Sequence, residues 1–243
     1  MLEPFSQALV EIQNEIRDEF SWSEEEDIAS TMAMLEMVEK YSFWGRQHRL
    51  QNLEQLQKKL LADMRPIVLI GAAVEVEDLL SVLPAEPHLI AADGSVGILS
   101  EFEQDLWPTL ALVVSDADGW PHLQVAAEKG ITIALHAHGD NWAEVEIALA
   151  KWGEMSPAEP LPLILTHQTN SPIEGAYNVG GFTDGDRALC LMLALGIQPE
   201  RLVLVGYDEQ TFGRWSGVSN EALKRRKLAW MAKILDKVGF GNG

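Results

Sequence analysis

Carboxylates two residues apart beside glycine recur in this chain, at Asp116-Ala117-Asp118-Gly119 and at Thr183-Asp184-Gly185-Asp186-Arg187. Carboxylate oxygens suit a hard divalent cation such as Mg²⁺, which usually holds substrate phosphates as well. If strand geometry persists through residues 116–118, Asp116 and Asp118 point to the same side. An Asp-Gly pair also forms turns, so a plain turn is the competing reading. Metal binding is favoured, with Asp116, Asp118, Asp184 and Asp186 as candidate ligands.

The stretch Gly180-Gly181-Phe182-Thr183-Asp184-Gly185-Asp186-Arg187 opens a helix. Its glycines let backbone N–H groups approach a ligand, and a helix N-terminus favours phosphate. Arg187 adds a fork of donors for phosphate oxygens. Helix capping by Thr183 or Asp184 is the alternative. A further string, His136-Ala137-His138-Gly139-Asp140-Asn141, holds groups for proton handling or phosphate contact. Its histidines lack a third partner at close zinc spacing. His48, His88 and His122 are read as structural, and Cys190 as part of an apolar helix stripe.

These strings sit in a regular frame. Continuous apolar blocks at residues 66–71, 88–92, 110–115, 131–135, 161–165 and 201–205 read as parallel strands covered on both faces. Helix-length segments at 74–83, 96–104, 121–129, 142–151, 187–196 and 221–238 alternate with them. This is the rhythm of a doubly wound α/β fold with a mostly parallel, Rossmann-like sheet. Residues 1–64 have no strand-like run. They read as an all-helical N-terminal unit, with helices over 5–20, 27–41 (Ser23 at its approach) and 47–64, ahead of an α/β catalytic domain at 65–243. In open α/β sheets ligands bind beyond the carboxyl ends of the strands. Those ends are polar: Gly71-Ala72-Ala73, Asp93-Gly94-Ser95, Asp116, His136, Thr166-His167-Gln168 and Gly206-Tyr207-Asp208.

With 37 acidic against 18 basic residues, the net charge of −19 repels phosphate backbones and anionic lipid. Neither nucleic acid nor a membrane is expected as a partner. A small phosphorylated ligand stays admissible, because a metal ion reverses the local sign. One cysteine permits no internal disulfide. No Gly-x-x-x-x-Gly-Lys-Ser/Thr occurs, and the turn after the first strand is not Gly-x-Gly-x-x-Gly. With no signal-peptide pattern, a cytoplasmic location is expected.

The set Ala92-Asp93-Gly94, Ser115-Asp116-Ala117-Asp118-Gly119, His136-Ala137-His138-Gly139-Asp140-Asn141, Thr166-His167-Gln168 and Asn178-Val179-Gly180-Gly181-Phe182-Thr183-Asp184-Gly185-Asp186-Arg187 resembles the archaeal MptE-like family. Its members are 6-hydroxymethyl-7,8-dihydropterin pyrophosphokinases, with a catalytic domain similar to that of thiamin pyrophosphokinases. The resemblance runs from about Pro66 to about Asp208, and the His-Ala-His-Gly-Asp-Asn and Gly-Gly-Phe-Thr-Asp-Gly-Asp-Arg strings are long and specific. It implies Mg²⁺-dependent transfer of diphosphate from ATP to a reduced pterin, releasing AMP, on the way to a tetrahydromethanopterin or folate-type cofactor. It makes Asp93, Asp116, Asp118, Asp184 and Asp186 candidates for metal and nucleotide, with Arg187 on phosphate. Gly94, Asn141, Thr166, Gln168, Asn178, Gly180, Gly181 and Thr183 would surround the nucleotide. His136, His138 or Asp140 would orient or deprotonate the acceptor hydroxyl, and Asp93, Asn178 or Asp208 would face the pterin edge. Gly71-Ala72-Ala73 departs from the richer Gly-Pro-Ser-type turn of related sequences. A homodimer is the favoured assembly. Two alternatives stay open: a nucleotide-sugar-dependent glycosyltransferase related to motility accessory factors, and a non-catalytic nucleotide-binding module.

Overall fold

The computed structural model describes residues 2–139, 141–155, 158–217 and 220–241. Its centre is a six-stranded, all-parallel sheet in the order β5-β4-β3-β2-β1-β6. The strands are β1 (Ile67–Ile70), β2 (His88–Ala92), β3 (Leu110–Ser115), β4 (Ile133–His136), β5 (Leu163–Thr166) and β6 (Leu202–Val205). Each of β1 to β5 is buried along its whole length, as its unbroken apolar run requires. Only the edge strand β6 has half-buried residues.

Alternate side chains feed two apolar layers. Val68, Ile70, Leu89, Ala91, Leu135 and Leu165 enter one of them. They pack there with Leu79 of α4 (Val76–Val82), Leu123 of α5 (His122–Glu128) and Val145, Leu149 and Trp152 of α6 (Trp142–Gly153). Ile67, Leu69, Ile90, Leu112, Ala134 and Ile164 enter the other. There they meet α7 (Asp184–Ala194) and α8 (Glu221–Lys237). Each fully buried aliphatic side chain in these layers contributes about 1.5–3 kcal/mol.

The N-terminal helices flank the same sheet. Leu9, Ile12 and Ile16 of α1 (Gln7–Phe20) and Leu53, Leu56 and Leu60 of α3 (Arg46–Leu61) join the second layer. Met34, Leu35 and Val38 of α2 (Glu24–Glu39) join the first. Ser23 caps α2 by accepting from the N–H groups of Glu25 and Glu26, and the acids of its first turn favour the helix dipole. Trp44 donates to Leu161 O (2.9 Å) and Asn52 to Leu163 O (3.1 Å). Both carbonyls lie at the edge strand β5, where an unpaired polar rim would invite pairing with another chain.

The chain departs from the expected rhythm once. Residues 96–104 are not an α-helix; Asp93–Glu101 forms a 3-10 segment. Glycines 94 and 97 lower helix propensity, and Gly97 lies against Trp215 and His122 so closely that a Cβ would meet the Trp215 ring at 2.4 Å. Close packing has overridden the local pattern. Among the described residues, no helix is long and apolar enough to cross a membrane.

From β1 the chain steps outward strand by strand to β5, then returns by α7 to lay β6 beside β1. The reversal leaves a crevice at the carboxyl ends of β1 and β6, the usual ligand position in open α/β sheets.

Candidate functional site

A cavity of about 230 Å³ opens at that carboxyl edge. Asp93 enters it immediately after β2, with φ +45°. Its carboxylate accepts from Ser115 Oγ (2.5 Å) and from Gly119 N–H (3.1 Å). Position 119 has to be glycine, because a Cβ there would lie 2.5 Å from the Asp93 oxygens. Ala117 has φ +75°, so strand geometry does not persist through residues 116–118. What gathers the aspartates is a turn, pinned by the bond from Ala117 N–H to Ser115 Oγ (2.9 Å). Within it Asp118 interacts with both Asp93 and Asp116. Asp184, the first residue of α7, joins them in the cavity lining. One oxygen from each of Asp93, Asp116 and Asp184 lies within 4.8 Å of the others, close enough to share a cation.

The electrostatics match that crowding. Burial, then the charges of Asp116 and Asp118, push Asp93 well above the carboxylate range. Burial and the charges of Asp116, Asp93 and Asp118 do the same to Asp184. Burial and Asp116 raise Asp118. Asp116 alone is held low: against the upward pull of burial, the hydrogen bond and charge of His138 and the charge of Lys227 keep it ionised. His138 Nε2 lies 3.4 Å from Asp116 Oδ2. Asp116 Oδ1 is buried and has no hydrogen-bond partner among the described residues. An unpaired oxygen in an ionised, crowded carboxylate suits a positive ligand.

Beside the acid cluster runs a connected polar layer that reaches the cavity through His136 and Gln168. His136 is buried; its Nδ1 meets Thr166 Oγ1 (3.2 Å) and its Nε2 meets Gln168 Oε1 (3.4 Å). Burial and the charges of Arg187 and His138 hold it neutral, well below its usual range. Gln168 donates to both oxygens of Asp27 on α2 (3.0 and 3.1 Å). Asp27 also accepts from Arg17 (3.3 Å) and from Gly139 N–H (2.9 Å), tying the loop after β4 to the N-terminal helices. Asn141 clamps neighbouring loops by donating to Asp116 O (2.9 Å) and His136 O (2.8 Å) while accepting from His138 N–H (2.9 Å).

The expected site residues therefore fall into two groups. Asp93, Asp116, Asp118, His136, His138, Gln168, Thr183 and Asp184 line the cavity. Gly94, Asn141, Thr166, Asn178, Gly180, Gly181, Asp186 and Arg187 stand behind its lining. Arg187, 1% exposed, donates to Gly180 O (3.3 Å), Phe182 O (3.1 Å) and Gln168 Oε1 (3.4 Å). Asp186, fully buried, accepts from the N–H groups of Phe182 and Thr183 and from Thr183 Oγ1, closing a capping box at α7. Asn178 accepts from Gly180 N–H (2.9 Å) and donates to Thr169 O (2.8 Å). At Gly180 and Gly181 φ is positive, and a Cβ on Gly180 would meet Leu9 at 2.6 Å, so these glycines serve packing. Asp140 lies outside the described residues.

The other walls carry residues that no motif marked. Trp22, between α1 and α2, lines the cavity with Lys224 and Lys227 of α8 and the segment around Phe212 and Trp215. Lys224 donates to Ser216 Oγ (2.8 Å). At the crevice, Ala73 N–H bonds Gly206 O (3.0 Å), an approach that side chains at 71 or 206 would block.

No protein-family model matches the chain, and no solved structure matches it at a significant level. Curated archaeal proteins named 6-hydroxymethyl-7,8-dihydropterin pyrophosphokinase do match. The one from Pyrococcus furiosus is 34% identical over 146 residues, 60% of this chain and 55% of its own length. The one from Methanothermobacter thermautotrophicus is 33% identical over 160 residues, 61% of each chain. This chain is a relative of those pyrophosphokinases. The one from Methanocaldococcus jannaschii is 26% identical over 205 residues, 80% of this chain and 76% of its own. The match thus spans just over half of the first pyrophosphokinase and about three fifths of the second.

Proposed function

We propose that this chain is a diphosphotransferase that moves the terminal diphosphate of ATP onto the hydroxymethyl group of 6-hydroxymethyl-7,8-dihydropterin. The observation that carries the reading is the Asp93–Asp116–Asp184 cluster at the carboxyl edge of a parallel sheet, in a relative of proteins bearing that name. The pterin hydroxyl oxygen bonds to the β-phosphorus, the bond from that phosphorus to the bridging oxygen of the α-phosphate breaks, and AMP leaves. The hydroxyl proton departs from the acceptor oxygen.

Asp93, Asp116 and Asp184 fit a divalent cation, Mg²⁺ in this reading, because Asp116 Oδ1 is an unpaired buried acceptor amid carboxylates that repel one another. When bound, such an ion neutralises phosphate oxygens and the carboxylates beside them. Lys224 and Lys227 bring positive charge to the wall that faces them. His138, lining the cavity, takes the hydroxyl proton in this reading from its neutral form, in which Nε2–H still donates to Asp116. Gln168, Asn141, Asp186 and Arg187 hold the loops that carry these groups. The reading places the enzyme in the cytoplasm, with ATP and the reduced pterin as its partners.

The test is turnover by the pure, folded protein given ATP, the reduced pterin and Mg²⁺. AMP and the diphosphorylated pterin are expected in equal amounts. No product, or transfer to a sugar acceptor from a nucleotide sugar instead, rejects the reading.

A further inference from the structure

The cavity offers two places for a flat ring, and they differ in what they present to it. One is the crevice between β1 and β6, where Gly71, Ala73 and Gly206 bring backbone close together. The other is a wall made by Trp22 and Phe182, whose ring centroids are 5.9 Å apart. Phe182 stands two residues before Asp184 and lines the cavity with it, so one short stretch of chain carries both the wall and a carboxylate of the cluster. Lys227 Nζ lies 5.8 Å from both the Trp22 and the Phe182 rings. The same ammonium lowers Asp116 through its charge. One ammonium thus stands near both rings of the wall and acts on the acid cluster through its charge.

The wall is held by its own packing. Trp22 stacks on Phe20 at 4.6 Å with the planes 19° apart. The Arg226 guanidinium packs 4.1 Å over Phe20 and is itself held by Glu19 (3.1 Å). This stack joins α1 to α8 and leaves Trp22 partly exposed in the cavity. A half-exposed tryptophan fixed in one orientation is a surface for a flat heteroaromatic ring.

The chemistry decides which ring. In the pterin the reacting hydroxyl is one carbon from the bicycle, so the ring must sit against the transfer site. In ATP a ribose and the α-phosphate separate adenine from the β-phosphorus. The aromatic wall, linked to the acid cluster by Lys227 and by the Phe182–Asp184 stretch, suits the first, and the crevice at the strand-order reversal suits the second. We infer that Trp22 and Phe182 form the pterin platform, and that Lys227 contacts the phosphate passing between platform and acid cluster. This rests on the diphosphotransferase reading.

Trp22→Leu keeps apolar bulk and removes the aromatic face, whereas Trp22→Phe keeps a face. Binding of 6-hydroxymethylpterin, followed by its own fluorescence anisotropy, and of a nonhydrolysable ATP analogue with Mg²⁺, followed by calorimetry, would be measured on both variants and the parent. Thermal melts check that each variant is folded. Trp22→Leu is expected to weaken the pterin on the order of 10-fold or more, and Trp22→Phe by only about threefold, with the nucleotide changed less than about twofold in both. Unchanged pterin affinity in Trp22→Leu, or an equal loss of both ligands, overturns the assignment. A parent protein that binds the nucleotide but no pterin instead overturns the diphosphotransferase reading itself.

Discussion

Two sets of carboxylates in this protein, one behind the cavity and one lining it, are treated in opposite ways. Asp27 and Asp186 belong to the layer behind the cavity. Each of their oxygens accepts at least one hydrogen bond, from Gly139, Gln168 and Arg17 in one case and from Phe182 and Thr183 in the other. Burial raises both, and those bonds oppose it. Asp93, Asp118 and Asp184 are raised by burial and then by neighbouring carboxylates, Asp116 first in each case, and Asp116 itself keeps a bare oxygen. Buried charge with its partners present is architecture. Carboxylates that repel one another along a cavity wall fit a ligand of opposite sign.

The contrast breaks first at Asp27. Asp27→Ala strands the buried Arg17 and frees Gln168, so it should cost about 3–5 kcal/mol in denaturant unfolding. A loss near zero would put Asp27 outside the architectural set. Next comes Asp116→Asn. It should lower kcat/KM by about 10²–10³-fold, or about 2.7–4 kcal/mol in the transition state. The fold should stay within about 0.5 kcal/mol of the parent or become firmer, since a repelling charge is gone. Comparable losses of stability at both aspartates would erase the distinction.

A third test uses the histidine beneath the wall. Burial, then the Arg187 charge, lowers His167 from 6.5 to about 4. The folded protein thus keeps it neutral while the unfolded chain takes up a proton. Its stabilising contribution is complete above pH 6.5 and is lost as pH falls toward 4. His167→Asn retains an acceptor for Thr169 N–H but cannot titrate. The parent should lose about 2–3 kcal/mol more than this variant between those pH values. Parallel pH profiles would show that His167 does not carry the difference. The smallest effect concerns the ion itself. At neutral pH, Mg²⁺ should firm the parent by roughly 1–2 kcal/mol. It should leave Asp116→Asn unmoved in the same thermal melt, and equal gains in both would remove the ion from the acid cluster.

Much of this was legible from the residues. All six strands follow from their apolar blocks, because a parallel strand covered on both faces leaves no room for polar side chains. Asp93, Asp116 and Asp184 were legible as acids at strand ends and a helix start. The string Asp184-Gly185-Asp186-Arg187 was harder. Helical phase turns Asp184 into the cavity and Asp186 back onto the Thr183 cap, and the Thr183-x-x-Asp186 spacing was the available signal. Arg187, a natural phosphate fork by type, is consumed by backbone carbonyls and Gln168. Trp22, Lys224 and Lys227 carried no local signal at all. They reach the cavity because α1, α2 and α8 pack where they do, and tertiary packing is not written in any short spacing.

One measurement bears most directly on the account. ATP labelled at its β-phosphorus would be turned over with the reduced pterin and Mg²⁺, by the parent and by Asp116→Asn. The label should pass to the pterin in the parent, with AMP formed in equal amount, and both should fall together in the variant. Label retained in ADP, or undiminished transfer by Asp116→Asn, would contradict it.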